Sequence, residues 1–405
     1  MIGKVALIFP GTGSQYVGMF KSFYERYAIV RETFGEAEDA LKLDLATMCF
    51  ETGFREQTSI AYAQTAIFVC SVAACRVFMH EVGVKPSLMA GHSLGELSAL
   101  TCAGVFRLQD AVKAVWFRGE AMEDAVPEAG GAIAAIKHLS AERVKEQCER
   151  MDPVGGTVSI ACYNSSDQVV IAGYSEAVGT VSDALRELGG QAIAIHSNVP
   201  FHTALMAPAA DRLREKLMQV QMRDPTSPVI SNVTALPYEQ GAANVVELLS
   251  RQLTHPVRWE ETVRYMQQEG ISYAVELGPN TILKKLNRTT ARNIRAYSWD
   301  EADDFQRIVE LKQLRPAFID VCLSIAVSTR NHNDNPDQYE NGVVEPYKTI
   351  LRIRQECERI GQSPTSMQMK DVFESLRSIL LTKKVEQAER EQLLQQAELE
   401  MIGIL

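Results

Sequence analysis

At 405 residues, with 46% hydrophobic and 23% charged residues, the chain is composed as a globular protein long enough for two or three domains. A formal charge of -10 argues against general nucleic-acid binding, and no apolar stretch reads as long enough for a membrane span. Eight scattered cysteines, without Cys-x-x-Cys pairs or metal-ligand spacing to the seven histidines, imply reduced thiols, a cytoplasmic location and no metal site.

The run Val5 to Phe9 is too short for a secretory signal and reads as a first strand. It leads into Phe9-Pro10-Gly11-Thr12-Gly13-Ser14-Gln15. A dinucleotide fingerprint fails there, because the glycine after Gly13 is Gly18. The loop better suits one side of an oxyanion hole, with the Thr12 N–H as donor. Next comes a short apolar run, Ser87-Leu88-Met89-Ala90, then Gly91-His92-Ser93-Leu94-Gly95, then a helix-forming stretch from Glu96 to Ala103. A Gly-x-Ser-x-Gly turn between strand and helix is how α/β hydrolase-like enzymes present a nucleophilic serine, with the following N–H, here Leu94, as the second oxyanion donor. The same pattern also occurs in ordinary loops, so the reading depends on a base and a substrate anchor elsewhere. Arg118 shares one helical stripe with Ala111, Val115 and Met122, a face that otherwise looks buried. From position alone, a structural salt bridge and a ligand carboxylate explain it equally well.

From about residue 129 the pattern changes. Ala132 to Ile136 reads as a strand, Ala141 to Met151 as a helix, Thr157 to Tyr163 and Val169 to Ala172 as strands, Ala177 to Leu188 as a helix, and Gln191 to His196 as a strand. That order, βαββαβ, is the ferredoxin-like unit. The larger domain resumes near Asn198 with Asn198-Val199-Pro200-Phe201-His202-Thr203, where His202 is either a general base or a loop histidine without a task. Val229 to Asn232 and Tyr273 to Glu276 supply further strands. Lys284, Lys285, Arg288, Arg292 and Arg295 then form a basic run without intervening acids. Such runs are usually solvated faces, and this one also suits docking of an acidic partner.

Beyond residue 300 several helices are expected, with a polar break at Asn331 to Gly342 and a turn at Gly361-Gln362-Ser363-Pro364. Met369, Val372, Phe373, Leu376 and Leu380 share one helical face, which reads as packing, and Val385 to Leu399 as a solvated helix or frayed tail. The fold expected is therefore α/β: an α/β hydrolase-like large domain over residues 1–128 and 198–300, an inserted ferredoxin-like small domain over 129–197, and a helical extension over 301–405.

Taken together, the Gly-rich loop ending in Gly-Ser-Gln, Gly-His-Ser-Leu-Gly-Glu, an arginine 25 residues after the serine and Val-Pro-Phe-His resemble malonyl-CoA:acyl carrier protein transacylases and the discrete, trans-acting acyltransferases of polyketide synthesis. The resemblance covers roughly residues 4 to 290. It implies that Ser93 is acylated by malonyl-CoA, that His202 is its base, that Arg118 anchors the malonyl carboxylate and that Gln64 lines the pocket. It further implies that Phe201 favours malonyl over methylmalonyl, and that His255 orients the catalytic histidine through its backbone carbonyl. Asn164 matches a motif of the small domain without an assigned role. Thr12 stands where glutamine is usual, and His255 where asparagine is common. The implied partner is an acyl carrier protein bearing phosphopantetheine, with Lys284, Lys285 and Arg288 as its docking patch. No metal or redox cofactor, nucleic acid or membrane is implied. The alternatives are an acyl-thioester hydrolase that clears stalled carriers, using the same Ser93 and His202, and a non-catalytic protein working through its helical tail. The Arg118 clamp argues against the first, because neutral acyl groups would leave it unpaired.

Overall fold

A computed structural model describes residues 4–52, 59–311, 318–360 and 364–402. The chain divides into two compact units, Met1–Lys312 and Gln313–Leu405. In chain order the strands are β1 (Lys4–Phe9), β2 (Leu88–Gly91), β3 (Gly131–Lys137), β4 (Val158–Ser165), β5 (Gln168–Tyr174), β6 (Gln191–Ile195), β7 (Val229–Ile230), β8 (Val257–Arg258), β9 (Ile271–Glu276) and β10 (Arg295–Ser298).

Five of them form a parallel sheet in the order β10-β9-β1-β2-β7. Val5 to Phe9 and Leu88 to Gly91 are buried throughout, as expected of central strands covered on both faces. Phe9 lies beside Gly91 in register, so the Gly-rich loop and the Ser93 turn leave the same carboxyl edge of the sheet side by side. Open parallel sheets bind ligands at that edge. Behind the sheet, the helix Ile60–Glu81 is the one described helix long and apolar enough to cross a membrane by length and composition, contrary to the sequence-based expectation. Its most apolar window is 83% buried inside the fold, which makes it a core helix.

The other strands form a second sheet in the order β6-β3-β5-β4-β8. The first four pair antiparallel, with helices Ala141–Met151 and Ser175–Glu187 against one face. Alternation along β3 divides its residues between two cores: Ala134 and Ile136 pack on those helices, and Ile133 and Ala135 face the cluster shared with the parallel sheet. The fifth strand, β8, comes from outside residues 129–197 and pairs in parallel with β4. The expected border of the small domain therefore leaves out a strand that covers one edge of its sheet.

A second difference concerns the end of the first unit. Helix Ala302–Glu310 lies before the division, not in the helical extension expected from residue 301. Its Asp304 accepts from the Ser298 amide at 2.8 Å, and its Phe305 meets Trp299 edge-on with ring centroids 5.0 Å apart.

The second unit is helical: Phe318–Ser328, Pro336–Tyr339, Glu345–Ile360, Ser366–Thr382 and Gln387–Ile402. It has its own core. Met369, Val372, Leu376 and Leu380 are buried in it with Phe318, Cys322 and Ile350, and Phe373 is partly buried against it. The polar segment expected to break at 331–342 is partly helical. Asn335 caps Pro336–Tyr339 by accepting from the Gln338 amide at 3.0 Å, and a π-helical turn, Glu340–Val344, carries the chain into Glu345–Ile360. Gly342 is needed for contact, since a Cβ there would lie 2.2 Å from Thr382 Oγ1. Residues 361–363 of the expected turn lie outside the described residues.

Candidate active site

Ser93 sits between β2 and helix Leu94–Cys102 with φ 54° and ψ -110°, a conformation a non-glycine residue holds only when its surroundings impose it. Those surroundings are tight. A Cβ on Gly91 would lie 1.8 Å from the Gly95 carbonyl carbon, and one on Gly95 would lie 2.0 Å from Phe9 O. Asn232 laces the turn from outside: it accepts from the Ser93 amide at 2.7 Å and donates to Gly91 O at 2.6 Å.

His202 Nε2 is 2.8 Å from Ser93 Oγ, and its Nδ1 is 2.7 Å from the carbonyl of Gln252. A carbonyl only accepts, so Nδ1 carries the proton and Nε2 is free to accept from the serine hydroxyl. Burial pushes the imidazole down to about 3, against the opposing pull of the Gln252 carbonyl, and so holds it in the neutral form with Nε2 unprotonated. The sequence-based expectation placed this carbonyl at His255. The structure corrects it to Gln252, while His255 Nδ1 sits 2.9 Å from Arg251 O and 3.0 Å from Thr254 Oγ1. Helix Ala242–Gln252 ends at this residue, and the last carbonyls of a helix lack intrahelical donors, which leaves Gln252 O available.

Arg118 is fully buried, and the groups it touches are neutral: Gln64 Oε1 at 2.7 Å, Gln252 Oε1 at 2.9 Å and Ser93 Oγ at 3.2 Å. Its Nε has no partner, and among the described residues no carboxylate lies within ion-pair distance. Burial lowers its pKa to about 10, so it stays charged at neutral pH. The structural salt bridge that sequence reasoning held open is absent among the described residues, and a buried cation stands beside the serine without a counter-ion in contact.

The cleft in front of Ser93 holds about 390 Å³ and lies between the second sheet and the loops that leave the carboxyl edge of the parallel one; Thr12, Ser93, Asn164, Phe201, His202 and Leu286 are among the residues that line it. The Thr12 and Leu94 amides donate to no other group among the described residues. Gly11 lets the loop close in, since a Cβ there would lie 2.4 Å from His92 O. Asn164 accepts from His92 Nε2 at 2.8 Å, tying β4 to the serine turn. Phe201 is partly buried, its ring centroid 6.4 Å from that of His202.

The expected docking patch needs one correction. Lys284 is buried and ion-paired with Glu301 and Asp304, so it presents no charge to a partner. Lys285 and Arg288 are exposed on the same helix, Ile282–Thr290, whose Ile282, Leu283 and Leu286 line the cleft. Sequence reasoning missed Gln252, Asn232 and Glu96. The first two carry no motif, and Glu96 was visible in Gly-His-Ser-Leu-Gly-Glu without a role.

The family described as the acyl transferase domain matches residues 6–340. A malonyl CoA-acyl carrier protein transacylase of Bacillus subtilis is 35% identical over 365 residues, 88% of this chain and 91% of the relative. The enzyme of that description in Escherichia coli K12 is 40% identical over 309 residues, 76% of this chain and 99% of the relative. Among solved structures, the malonyl CoA-acyl carrier protein transacylase of Coxiella burnetii superposes with a TM-score of 0.74 at 36% identity, covering 77% of this chain and 98% of that one. A malonyl-transacylase solved in complex with its type II PKS acyl-carrier protein gives 0.73 at 38% identity, covering 76% and 99%.

Proposed function

Because the chain belongs to the acyl transferase domain family and, within it, to the malonyl-CoA:acyl carrier protein transacylases, we infer that this site moves malonyl from coenzyme A to the phosphopantetheine thiol of an acyl carrier protein. Ser93 Oγ attacks the thioester carbonyl as His202 Nε2 takes the hydroxyl proton. The carbonyl oxygen gains negative charge, which the Thr12 and Leu94 amides hold at the start of helix Leu94–Cys102. The intermediate collapses, the C–S bond breaks, and His202 returns its proton to the leaving coenzyme A sulfur. The carrier thiol then runs the sequence in reverse: it gives its proton to His202, attacks the Ser93 ester, and Ser93 leaves with the proton restored. Every proton in this scheme moves through His202, and it uses no metal or redox cofactor.

The observation that carries the substrate assignment is Arg118, a buried charge 3.2 Å from the nucleophile whose contacts are all neutral. A malonyl carboxylate offers it a charge-assisted, two-pronged partner, and an acetyl group offers none. Intact-protein mass measured after mixing with malonyl-CoA or acetyl-CoA tests this. The wild type is expected to gain a malonyl adduct far faster than an acetyl one, and Arg118→Ala to lose that preference. An unchanged ratio would put the carboxylate elsewhere. Phe201 limits room for an α-methyl branch, although one methyl group gives only modest discrimination.

The exposed Lys285 and Arg288 beside the cleft steer an acidic carrier toward it in the same reading. Reversing both to glutamate is expected to slow transfer to the carrier and flatten its salt dependence while self-malonylation stays unchanged. Carrier kinetics equal to wild type at low salt would remove this patch from the interface. In finer fold terms we read the parallel layer as α/β hydrolase-like and the four antiparallel strands with their two helices as ferredoxin-like, supported by the strand order β6-β3-β5-β4. A cytoplasmic setting is supported by eight free thiols.

A further inference from the structure

Glu96 is fully buried in the first turn of the helix that follows Ser93, and each side chain or amide it meets is a donor. Tyr238 O–H reaches its Oε1 at 2.5 Å and the Asn232 amide the same oxygen at 3.1 Å; Gln252 Nε2 reaches Oε2 at 2.5 Å. Gln252 in turn touches Ser93, Arg118 and His202. Its Nε2 also donates to Ser93 O at 2.8 Å, its Oε1 accepts from Arg118 at 2.9 Å, and its backbone carbonyl accepts from His202 at 2.7 Å. An amide has two chemically different ends. With Glu96 and Ser93 O taking its NH2 end, the oxygen is left for Arg118.

We propose that Glu96 is a positioning residue that acts through Gln252, fixing the direction of the Gln252 amide and thereby the placement of the carboxylate anchor Arg118 and the base His202 together. The inference rests on the transacylase reading above. Its physical core is the count of donors and acceptors. A carboxylate accepts on both oxygens, whereas a glutamine at 96 has one oxygen and one NH2 group. Its oxygen must stay with the Asn232 amide and Tyr238, so its NH2 faces Gln252 Nε2, donor against donor. The relief is a flip of the Gln252 amide, which turns its NH2 toward the Arg118 guanidinium.

Glu96→Gln is therefore expected to act in two distinguishable ways. Malonylation of Ser93 at saturating malonyl-CoA falls about tenfold or more, within the range that a small displacement in a catalytic constellation produces. In addition, the KM for malonyl-CoA rises while that for acetyl-CoA does not, so the malonyl-to-acetyl preference narrows. Gln252→Ala should narrow it likewise, and the double variant should be no worse than Gln252→Ala alone, since both changes act on one amide. Additive losses, or a preference equal to wild type in Glu96→Gln, would overturn the proposal. If Glu96→Gln does not fold, Glu96→Asp takes its place: its carboxylate still accepts but sits one methylene short, so a narrowed preference supports the proposal and an unchanged one overturns it. A wild-type protein that takes no malonyl adduct would instead overturn the transacylase reading, which keeps the two failures apart.

Discussion

Ser93→Ala is expected to abolish covalent malonylation, with no adduct in the intact-protein mass after prolonged exposure to malonyl-CoA. The reason is chemical: the hydroxyl is the acyl acceptor, and Ala offers no atom in its place. The fold should survive. The substitution removes one oxygen, leaves the Ser93-position amide bonded to Asn232, and leaves Gly91 and Gly95 to accommodate the same turn. His202 Nε2 and Arg118 each lose one hydrogen bond at the wall of a cleft that water can enter. The thermal midpoint should therefore stay close to wild type, which separates lost chemistry from lost structure. A retained malonyl adduct would place the nucleophile elsewhere.

His202→Ala should leave the nucleophile present but unassisted, slowing malonylation by about 10² to 10⁴, the usual contribution of a positioned general base. Stopped-flow acylation followed by mass analysis reads the rate directly. Burial holds the imidazole far below its ordinary value, so between pH 6 and 8 the ring is in its neutral, proton-accepting form. The loss in His202→Ala should accordingly be of similar size across that range. A variant within a few-fold of wild type would mean that another group takes the serine proton.

The parts of this molecule that a reader of the sequence can find are those fixed by local chemistry. Helix Ala141–Met151 has the bounds its pattern predicts, and the four antiparallel strands of the second sheet fall within a few residues of theirs, because alternation and helical spacing are local properties, whereas β8 has no such pattern and was not expected. The serine turn is legible for a similar reason: glycines on both sides of a serine announce a backbone that tolerates no Cβ. What was hidden depends on distant segments meeting. Nothing near Gln252 announces that its carbonyl meets a histidine 50 residues away, and placing that carbonyl three residues later, at His255, followed from motif position alone. Lys284 reads like Lys285 in sequence, yet helical geometry turns one inward to Glu301 and Asp304 and leaves the other exposed. The break expected at 331–342 is present over 331–335 only; its glycine, Gly342, lies in the π-helical turn, where it is required by contact with Thr382 and does not interrupt the chain. The stretch Ile60–Glu81 reads as too short an apolar run for a membrane span because its polar residues, Gln64, Thr65 and Ser71 among them, interrupt it in sequence while lying buried in the fold.

The cluster formed by Lys284, Glu301 and Asp304 also bears on how this sequence can drift over generations. The cation belongs to the helix that walls the cleft, and the two anions belong to the segment that closes the first unit. Losing the lysine alone strands the buried Asp304 carboxylate, and losing Asp304 leaves a buried ammonium half-compensated and the Ser298 amide without its acceptor; either change is costly. Lys284 and Asp304 are thus constrained singly, while the half-exposed Glu301 is freer to change. Descendants of this chain should keep or lose Lys284 and Asp304 together, so that two residues far from the reacting atoms inherit as a pair.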